Sequence, residues 1–389
     1  MHIACNTLYQ PCNYYSMTKY KEEDWYVIED IEDLDSPALI VYKDRVNDNI
    51  KLAIEVIGDV DRLRPHIKTH KVREIVRMCI NEGIKKFKCA TIAEADILGM
   101  TGAKDVLLAY QPVGPKVSRF IEVIKDYTQT KFSCLVDNEN SAAALATLAK
   151  KNYLQIQLYV DVNIGMNRTG IAPEKAANLF QYCHSLEGVI PVGLHAYDGH
   201  LHMPNLTVRT RAATEAINSV IAVKMELQKK GFKNLSLIAG GSPTFPIHAS
   251  NSEIECSPGT FVYWDAGYSE AFTDQKFKPA SVVVSRVVSI PGKNKICIDL
   301  GHKSIAAENI LSNRVRFINA PELIPVSQSE EHMVLDAPDG NSYQPGMVLY
   351  GIPYHICPTS ALYERAVVIR NRRISEEWMV LGRDRRIRN

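Results

Sequence analysis

The chain has 389 residues, with 45 lysines and arginines against 44 aspartates and glutamates and a formal net charge of +1. So even a balance, with no block of like charge, argues against nucleic acid or an anionic membrane as partner. No run of about eighteen apolar residues exists to span a bilayer, and Met1 to Asp24 is polar and aromatic, without the apolar stretch of a secretory signal. Nine cysteines, an odd number, are scattered through the chain, several in apolar runs such as Phe87-Lys88-Cys89-Ala90 and Phe132-Ser133-Cys134-Leu135-Val136. That usage predicts reduced, buried thiols in a cytoplasmic protein rather than a disulfide framework. A chain of this length buries a sizeable core and is expected to form two domains.

Residues 1–35 read as a lead-in segment packed on the second domain. Ala38–Tyr42 is a short apolar strand. A helix follows from Arg45 to Ile57, where Val46, Ile50, Ala53, Ile54 and Ile57 recur at helical spacing. Strand and helix then alternate. The strands are expected at Arg62–Lys68, Phe87–Ala90, Val106–Ala109, Phe132–Val136, Ile156–Val162, Pro191–Ala196, Leu235–Ala239 and Ile254–Cys256. Helical patterns lie between them at Val72–Asn81, Ile92–Met100, Val117–Tyr127, Asn140–Lys150, Glu174–Ser185 and Val208–Lys229. Crossovers of that length force parallel pairing, because a tight turn cannot join parallel strands.

Eight such units within residues 36–266 predict an α/β fold, a closed (β/α)8 barrel of the TIM type. The alternative, an open doubly wound sheet, requires a phosphate fingerprint after its first strand, and no G-x-G-x-x-G follows any early strand. After Gly267 the texture changes. Val282–Val288, Lys295–Leu300 and Ala366–Ile369 are β-rich, with turns at Pro291-Gly292 and Asp339-Gly340. Residues 267–389 are therefore expected to form a mostly antiparallel β domain.

In a barrel, catalytic residues belong at the carboxyl ends of the strands. Arg64-Pro65-His66-Ile67-Lys68-Thr69-His70-Lys71 ends the first barrel strand. Pro65 disfavours a helical conformation at Arg64, so the run reads as a strand leaving into a loop. A lysine there projects from a rigid strand end, and partial burial beside other cations suits Lys68 to Schiff-base chemistry. The same run also reads as a basic loop touching a phosphate. Arg168, in Asp161-Val162-Asn163-Ile164-Gly165-Met166-Asn167-Arg168-Thr169-Gly170, offers a planar fork of donors to a ring atom or carboxylate, or locks its own loop by ion pairing. His195-Ala196-Tyr197-Asp198-Gly199-His200-Leu201-His202 holds three histidines whose spacing fits no standard metal site. Its Tyr197 flanks a flat ring, positions a substrate group, or is a rim tyrosine. In Ala239-Gly240-Gly241-Ser242-Pro243-Thr244, exposed backbone N–H groups and two hydroxyls suit a phosphate.

In the β domain, His355-Ile356-Cys357 sets two good ligands two residues apart. On a strand they would face the same side, so a thiolate and an imidazole could share one ion, most plausibly Zn²⁺. Two protein ligands leave coordination open, which a catalytic Lewis acid needs. The competing reading is a buried cysteine beside an incidental histidine. Glu330-Glu331-His332 reads as a solvated turn.

Taken together, these runs resemble the D-threonine aldolase and D-serine dehydratase family, pyridoxal phosphate enzymes with the alanine racemase type of barrel. The resemblance extends from about Ser36 to Arg383. It rests on Pro65-His66-Ile67-Lys68-Thr69-His70-Lys71, Gly165-Met166-Asn167-Arg168-Thr169-Gly170, Tyr197-Asp198-Gly199-His200 and Gly240-Gly241-Ser242-Pro243-Thr244, in that order. It implies that Lys68 carries pyridoxal 5′-phosphate, that Gly241, Ser242 and Thr244 hold its phosphate, and that Arg168 and Tyr197 contact the ring and substrate. It further implies a divalent metal on His355 and Cys357, a homodimer and an amino-acid substrate. Aldolases of this family tend to carry His-x-Asp at the metal and dehydratases His-x-Cys, so Cys357 favours a dehydratase acting on D-serine-like substrates. A D-threonine aldolase, an amino-acid racemase and a non-catalytic carrier of the cofactor are the alternatives.

Overall fold

The computed structural model describes residues 24–338 and 342–387. Residues 1–23 of the lead-in and the expected turn at Asp339-Gly340 fall outside them. The chain begins in the second sheet with β1 (Ala38–Tyr42) and α1 (Lys43–Ile57), and α2 (Arg73–Asn81) follows the Lys68 segment. Strand and helix then alternate through β2 (Lys86–Cys89), α3 (Ile92–Thr101), β3 (Asp105–Leu108), α4 (Pro115–Asp126), β4 (Lys131–Val136) and α5 (Glu139–Lys151). The alternation continues with β5 (Ile156–Val162), α6 (Pro173–Ser185), β6 (Val189–Ala196), α7 (Leu206–Lys229), β7 (Ser236–Ala239), α8 (Phe245–Ala249) and β8 (Ile254–Cys256).

Strands β2 to β8 form one parallel sheet in sequence order. The eighth barrel position is filled by Leu63–Ile67, which is not a regular strand: it makes single parallel bridges, Leu63 to Cys256 and His66 to Lys88. Arg64 and His66 donate to the carbonyls of Cys256 and Pro258 at 2.8 and 2.9 Å, while Ile67 N–H and the Pro65 carbonyl bond Lys88 at 3.0 and 2.8 Å. The segment thus joins both edges of the sheet and closes the barrel. Pro65 has no N–H to give, which is why a full ladder does not form there. Arg62, expected at the start of this strand, instead ends a 3₁₀ turn over Val60–Arg62.

Side chains alternate between two cores. Leu107, Leu135, Tyr159 and Ile238 point inward and pack together, whereas their neighbours Val106, Leu108, Val136 and Val160 join the large layer beneath the helices. At the barrel's amino end, Arg64 is wholly buried and pairs with Asp105 at 2.6 Å and Glu255 at 2.9 Å.

The second sheet comprises α9 (Ala266–Ala271) leading into β9 (Ser281–Gly292), β10 (Lys295–Ile298), β11 (Val315–Phe317), β12 (Ile324–Gln328), β13 (Met333–Asp336) and β14 (Val348–Pro353). It ends with α10 (Ile356–Ser360), β15 (Arg365–Arg370) and β16 (Arg373–Met379). Its pairings are antiparallel except for β1 beside β15. Ala38–Tyr42 therefore departs from the expectation that residues 36–266 build the barrel. The reason is burial on both faces: Leu39 and Val41 join the large core, while Ile40 and Tyr42 pack with Val282, Val284, Val367 and Ile369. The end of the lead-in lies on this same face, with Trp25, Tyr26, Ile28 and Ile31 on that cluster and Glu29 N–H bonded to the Arg372 carbonyl at 2.8 Å.

Candidate active site

The carboxyl end of the barrel gathers cations around one aromatic ring. Lys68 Nζ lies 5.4 Å from the centre of the Tyr197 ring, Lys88 Nζ 5.7 Å and Arg168 Cζ 4.8 Å. Among the described residues, none of the three is within ion-pair distance of a carboxylate. Lys88 is buried, Lys68 half-buried and Arg168 exposed, and the enclosed part of this positive charge is costly unless an anion supplies the balance.

Lys88 projects inward from β2 and is almost fully buried. Its ammonium bonds Ser257 Oγ at 2.6 Å and lies 3.3 Å from His195 Nε2. Burial, assisted by the nearby Lys68 charge, pulls the Lys88 pKa down to about 7. His195 Nδ1 contacts Asp161 Oδ1 at 2.7 Å, and the other Asp161 oxygen accepts from Thr169 and Gln111 at 2.9 and 3.0 Å. Burial opposes ionisation of Asp161, but the His195 hydrogen bond and charge, with those of Thr169 and Gln111, hold its pKa below the usual range. His195 thus has both ring nitrogens engaged within this network. His66, also buried and facing Lys68 and Lys88, is kept neutral, its pKa far below the ordinary histidine value.

A cradle adjoins the ring. Gly240 has a positive φ of 74°, and a Cβ on Gly241 would lie 3.2 Å from the Tyr197 ring. Gly241 N–H donates to buried Asp198 at 3.2 Å, and the other Asp198 oxygen meets His248 Nε2 at 2.7 Å. Ser242 Oγ accepts from the N–H groups of Gly259 and Thr260 at 3.3 and 3.1 Å, which leaves its own proton to donate outward. Thr244 is fully buried; its hydroxyl reaches the Gly241 carbonyl at 3.4 Å and Asp198.

His355 and Cys357, the expected metal ligands, lie beside Lys68, though not on a strand as expected. β14 ends at Pro353, His355 caps α10 with φ −132° and ψ 101°, and Cys357 lies in the first turn. The geometry still brings them together, because the helix turn folds Cys357 back to hydrogen-bond His355. Cys357 Sγ is 3.2 Å from Thr69 Oγ1 and 3.7 Å from Thr260 Oγ1. Burial pushes the Cys357 thiol up, but the His355 hydrogen bond and charge, with Lys68, outweigh it and bring the pKa down. Burial likewise opposes the charge on His355, yet Cys357, Asp265 and Glu308 raise its pKa to about 9. A thiolate and an imidazole already in contact, with a proton between them, fit a soft divalent ion such as Zn²⁺. Glu308 Oε1 sits 2.6 Å from His355 Nδ1, so Nε2 is the nitrogen that could take a metal.

Ser242, Thr260, Cys357 and Thr69 form a chain of contacts that ties the cradle to the metal pair and to the residue after Lys68. Lys68, Arg168, Tyr197, Gly241, Ser242, Thr244, His355 and Cys357 therefore lie together at one end of the barrel. Sequence reasoning did not assign Lys88, Asp198, His248, Ser257, Thr260 or Glu308. A signal existed for Lys88 alone: in a barrel strand, Phe87 and Cys89 face the helices, so the charged residue between them faces inward. Glu330 and Glu331 instead make exposed ion pairs with Lys303. The seven described cysteines are all unpaired. No helix among the described residues is long and apolar enough to cross a membrane.

Comparison with known proteins agrees with this geometry. D-threonine aldolase from Arthrobacter sp. is 25% identical over 327 residues, covering 82% of this chain and 85% of that protein. D-serine dehydratase from Dictyostelium discoideum is 23% identical over 391 residues, covering 88% and 95%. The crystal structure of D-threonine aldolase from Filomicrobium marinum superposes with a TM-score of 0.83 at 24% identity, covering 90% of this chain and 96% of that one. These homologues are pyridoxal-phosphate-dependent lyases, and that is the class of enzyme the likenesses point to. The chain belongs to the family of the alanine racemase N-terminal domain, matched over residues 41–266, and residues 280–369 match a putative serine dehydratase domain.

Proposed function

We propose that the protein is a pyridoxal-phosphate- and metal-dependent lyase of β-hydroxy D-amino acids, and that it deaminates them to a 2-oxo acid and ammonia in the manner of a D-serine dehydratase. The supporting observation is the Cys357–His355 contact next to Lys68: a soft thiolate–imidazole pair, suited to zinc, at the lysine that would carry the cofactor. When bound, the cofactor would supply an electron sink that labilises the bonds at Cα, and the metal would supply Lewis acidity toward the substrate hydroxyl.

The chain's own residues have the remaining tasks. Ser242 donates its free proton to the cofactor phosphate, with Gly241 allowing close approach and Thr244 bracing the turn from below. Arg168 and Lys88 balance that phosphate and the substrate carboxylate electrostatically. Tyr197 flanks the ring. Lys68 would be the base for the Cα proton, and His355 and Cys357 would hold the metal with Glu308 fixing the imidazole. A homodimer in the cytoplasm belongs to the same proposal, and sedimentation checks the dimer.

Retro-aldol cleavage is the second reading, favoured by the two D-threonine aldolases, which are as similar to this chain as the dehydratase is. Incubation with D-threonine, pyridoxal phosphate and zinc separates the two. 2-Oxobutanoate and ammonia are the expected products. Glycine and acetaldehyde would replace the proposal with the aldolase, and L-allo-threonine, the product of inversion at Cα alone, formed without lysis would indicate a racemase.

A further inference from the structure

A second cavity opens at the same end of the barrel but outside its strands. It has a volume of about 350 Å³, with Ala90, Ile92, Leu108 and Pro112 in its wall. Leu108 faces the helix layer, whereas its neighbour Leu107 faces the barrel interior. The cavity is thus separated from the Tyr197 site by the strands themselves.

Its polar lining carries charge of one sign. Lys116 and Arg119 come from the first two turns of α4, and Arg385 joins them in the lining. Lys116 Nζ donates to Tyr110 Oη at 2.9 Å and stands 4.2 Å from the centre of that ring. The Tyr110 hydroxyl accepts there and keeps its own proton to donate. Arg119 Nη2 holds the Arg385 carbonyl at 2.7 Å, fixing the tail as one wall. No carboxylate lines the cavity. Asp96, nearby, is engaged by the Tyr127 hydroxyl at 2.7 Å, and among the described residues none of the three cations has an ion-pair partner. Lys116 and Arg119 are half-buried and Arg385 is exposed, so three unpaired cations and a hydroxyl donor around one apolar-floored space make a lining complementary to an anion.

We propose that this cavity is a binding site for a small organic anion, a carboxylate or phosphate ester with a compact apolar body, distinct from the cofactor and substrate site. The head group takes the Lys116, Arg119 and Arg385 donors, and the body lies on Ile92, Leu108 and Pro112. The volume admits a ring-sized body and excludes a polymer.

The test is calorimetric titration of phenyl phosphate, and separately of benzoate, into the protein saturated with pyridoxal phosphate, so that the Ser242 cradle is already filled. The expected result is one saturable site per chain for at least one probe, the better probe identifying the head group. In the Lys116→Ala/Arg119→Ala variant the affinity falls at least about tenfold, while circular dichroism and the visible absorbance of the bound cofactor stay unchanged. Absence of saturable binding overturns the proposal, as does binding that the double variant leaves intact. A double variant that loses probe binding by dissociating a dimer overturns it too, since a second copy would then be what the cations contact. If the cofactor fails to bind at all, the same titration on the unliganded protein still reports on this cavity, so the two proposals fail separately.

Discussion

The two ends of the barrel treat buried charge in opposite ways. At the amino end, Arg64 is fully enclosed and meets two carboxylates, Asp105 and Glu255, with Lys86 adding a further pair to Glu255 at 2.7 Å. At the carboxyl end, Lys68, Lys88 and Arg168 crowd one tyrosine ring with no carboxylate in ion-pair range among the described residues. The available acids there, Asp161 and Asp198, are bound to His195 and His248 instead. A fold that only needed stability would pair the second set as it pairs the first. Leaving it unpaired keeps a positive field for an anionic ligand, at a cost the matched end helps to offset.

Removing the central cation of the unpaired end should have the largest effect. Lys68→Ala is expected to abolish the visible absorbance of the bound cofactor and lower turnover on the order of 10³-fold or more, with little loss of thermal stability. The matched end should behave the other way. Arg64→Met strands two carboxylates and is expected to cost about 3–5 kcal/mol in urea unfolding, while the surviving folded protein keeps its activity. An Arg64→Met variant as stable as the parent would show that the pairs at that end contribute nothing net.

The metal pair permits a finer comparison. Glu308→Gln keeps a hydrogen bond to His355 but removes the charge, and zinc affinity measured by chelator competition should fall about tenfold. A His355→Ala variant should lose zinc altogether, with the fold retained because His355 is exposed. The remaining effect concerns Lys88 and is read as a slope against pH. Its pKa is near 7 in the folded protein, against an ordinary value of 10.5, so between those limits the unfolded chain holds a proton that the folded one has released. Stability of the cofactor-free protein should therefore rise with pH from 7 toward 10, by at most about 1.4 kcal/mol per pH unit from this group. Lys88→Met should flatten the rise, and an unchanged pH slope would place the amine in contact with water or an anion.

Much of the barrel was legible because its signals are local. The expected strand Ile156–Val162 coincides with β5, and the helix expected over Val208–Lys229 falls within α7. The Lys68 segment was legible as a strand end but not as an irregular one, since the missing Pro65 donor matters only once the β8 and β2 edges are in place. His355 and Cys357 were expected on a strand, and the structure sets them at the start of a helix instead. A five-residue helix such as α10 is too short to leave a periodic pattern, so the run read as extended.

Sequence by itself determined the period of the elements, the change of texture after the barrel, and the residue types able to carry out the chemistry. Each depends on neighbours a few positions away. Tertiary structure decided which charges meet and which stay alone. Thr69 and Cys357 are 288 residues apart, Lys88 and His195 107, and Glu308 and His355 47. Such contacts are fixed by barrel closure and by the docking of the second sheet, because only the folded chain brings these groups within a few ångströms and removes the water that would otherwise screen them.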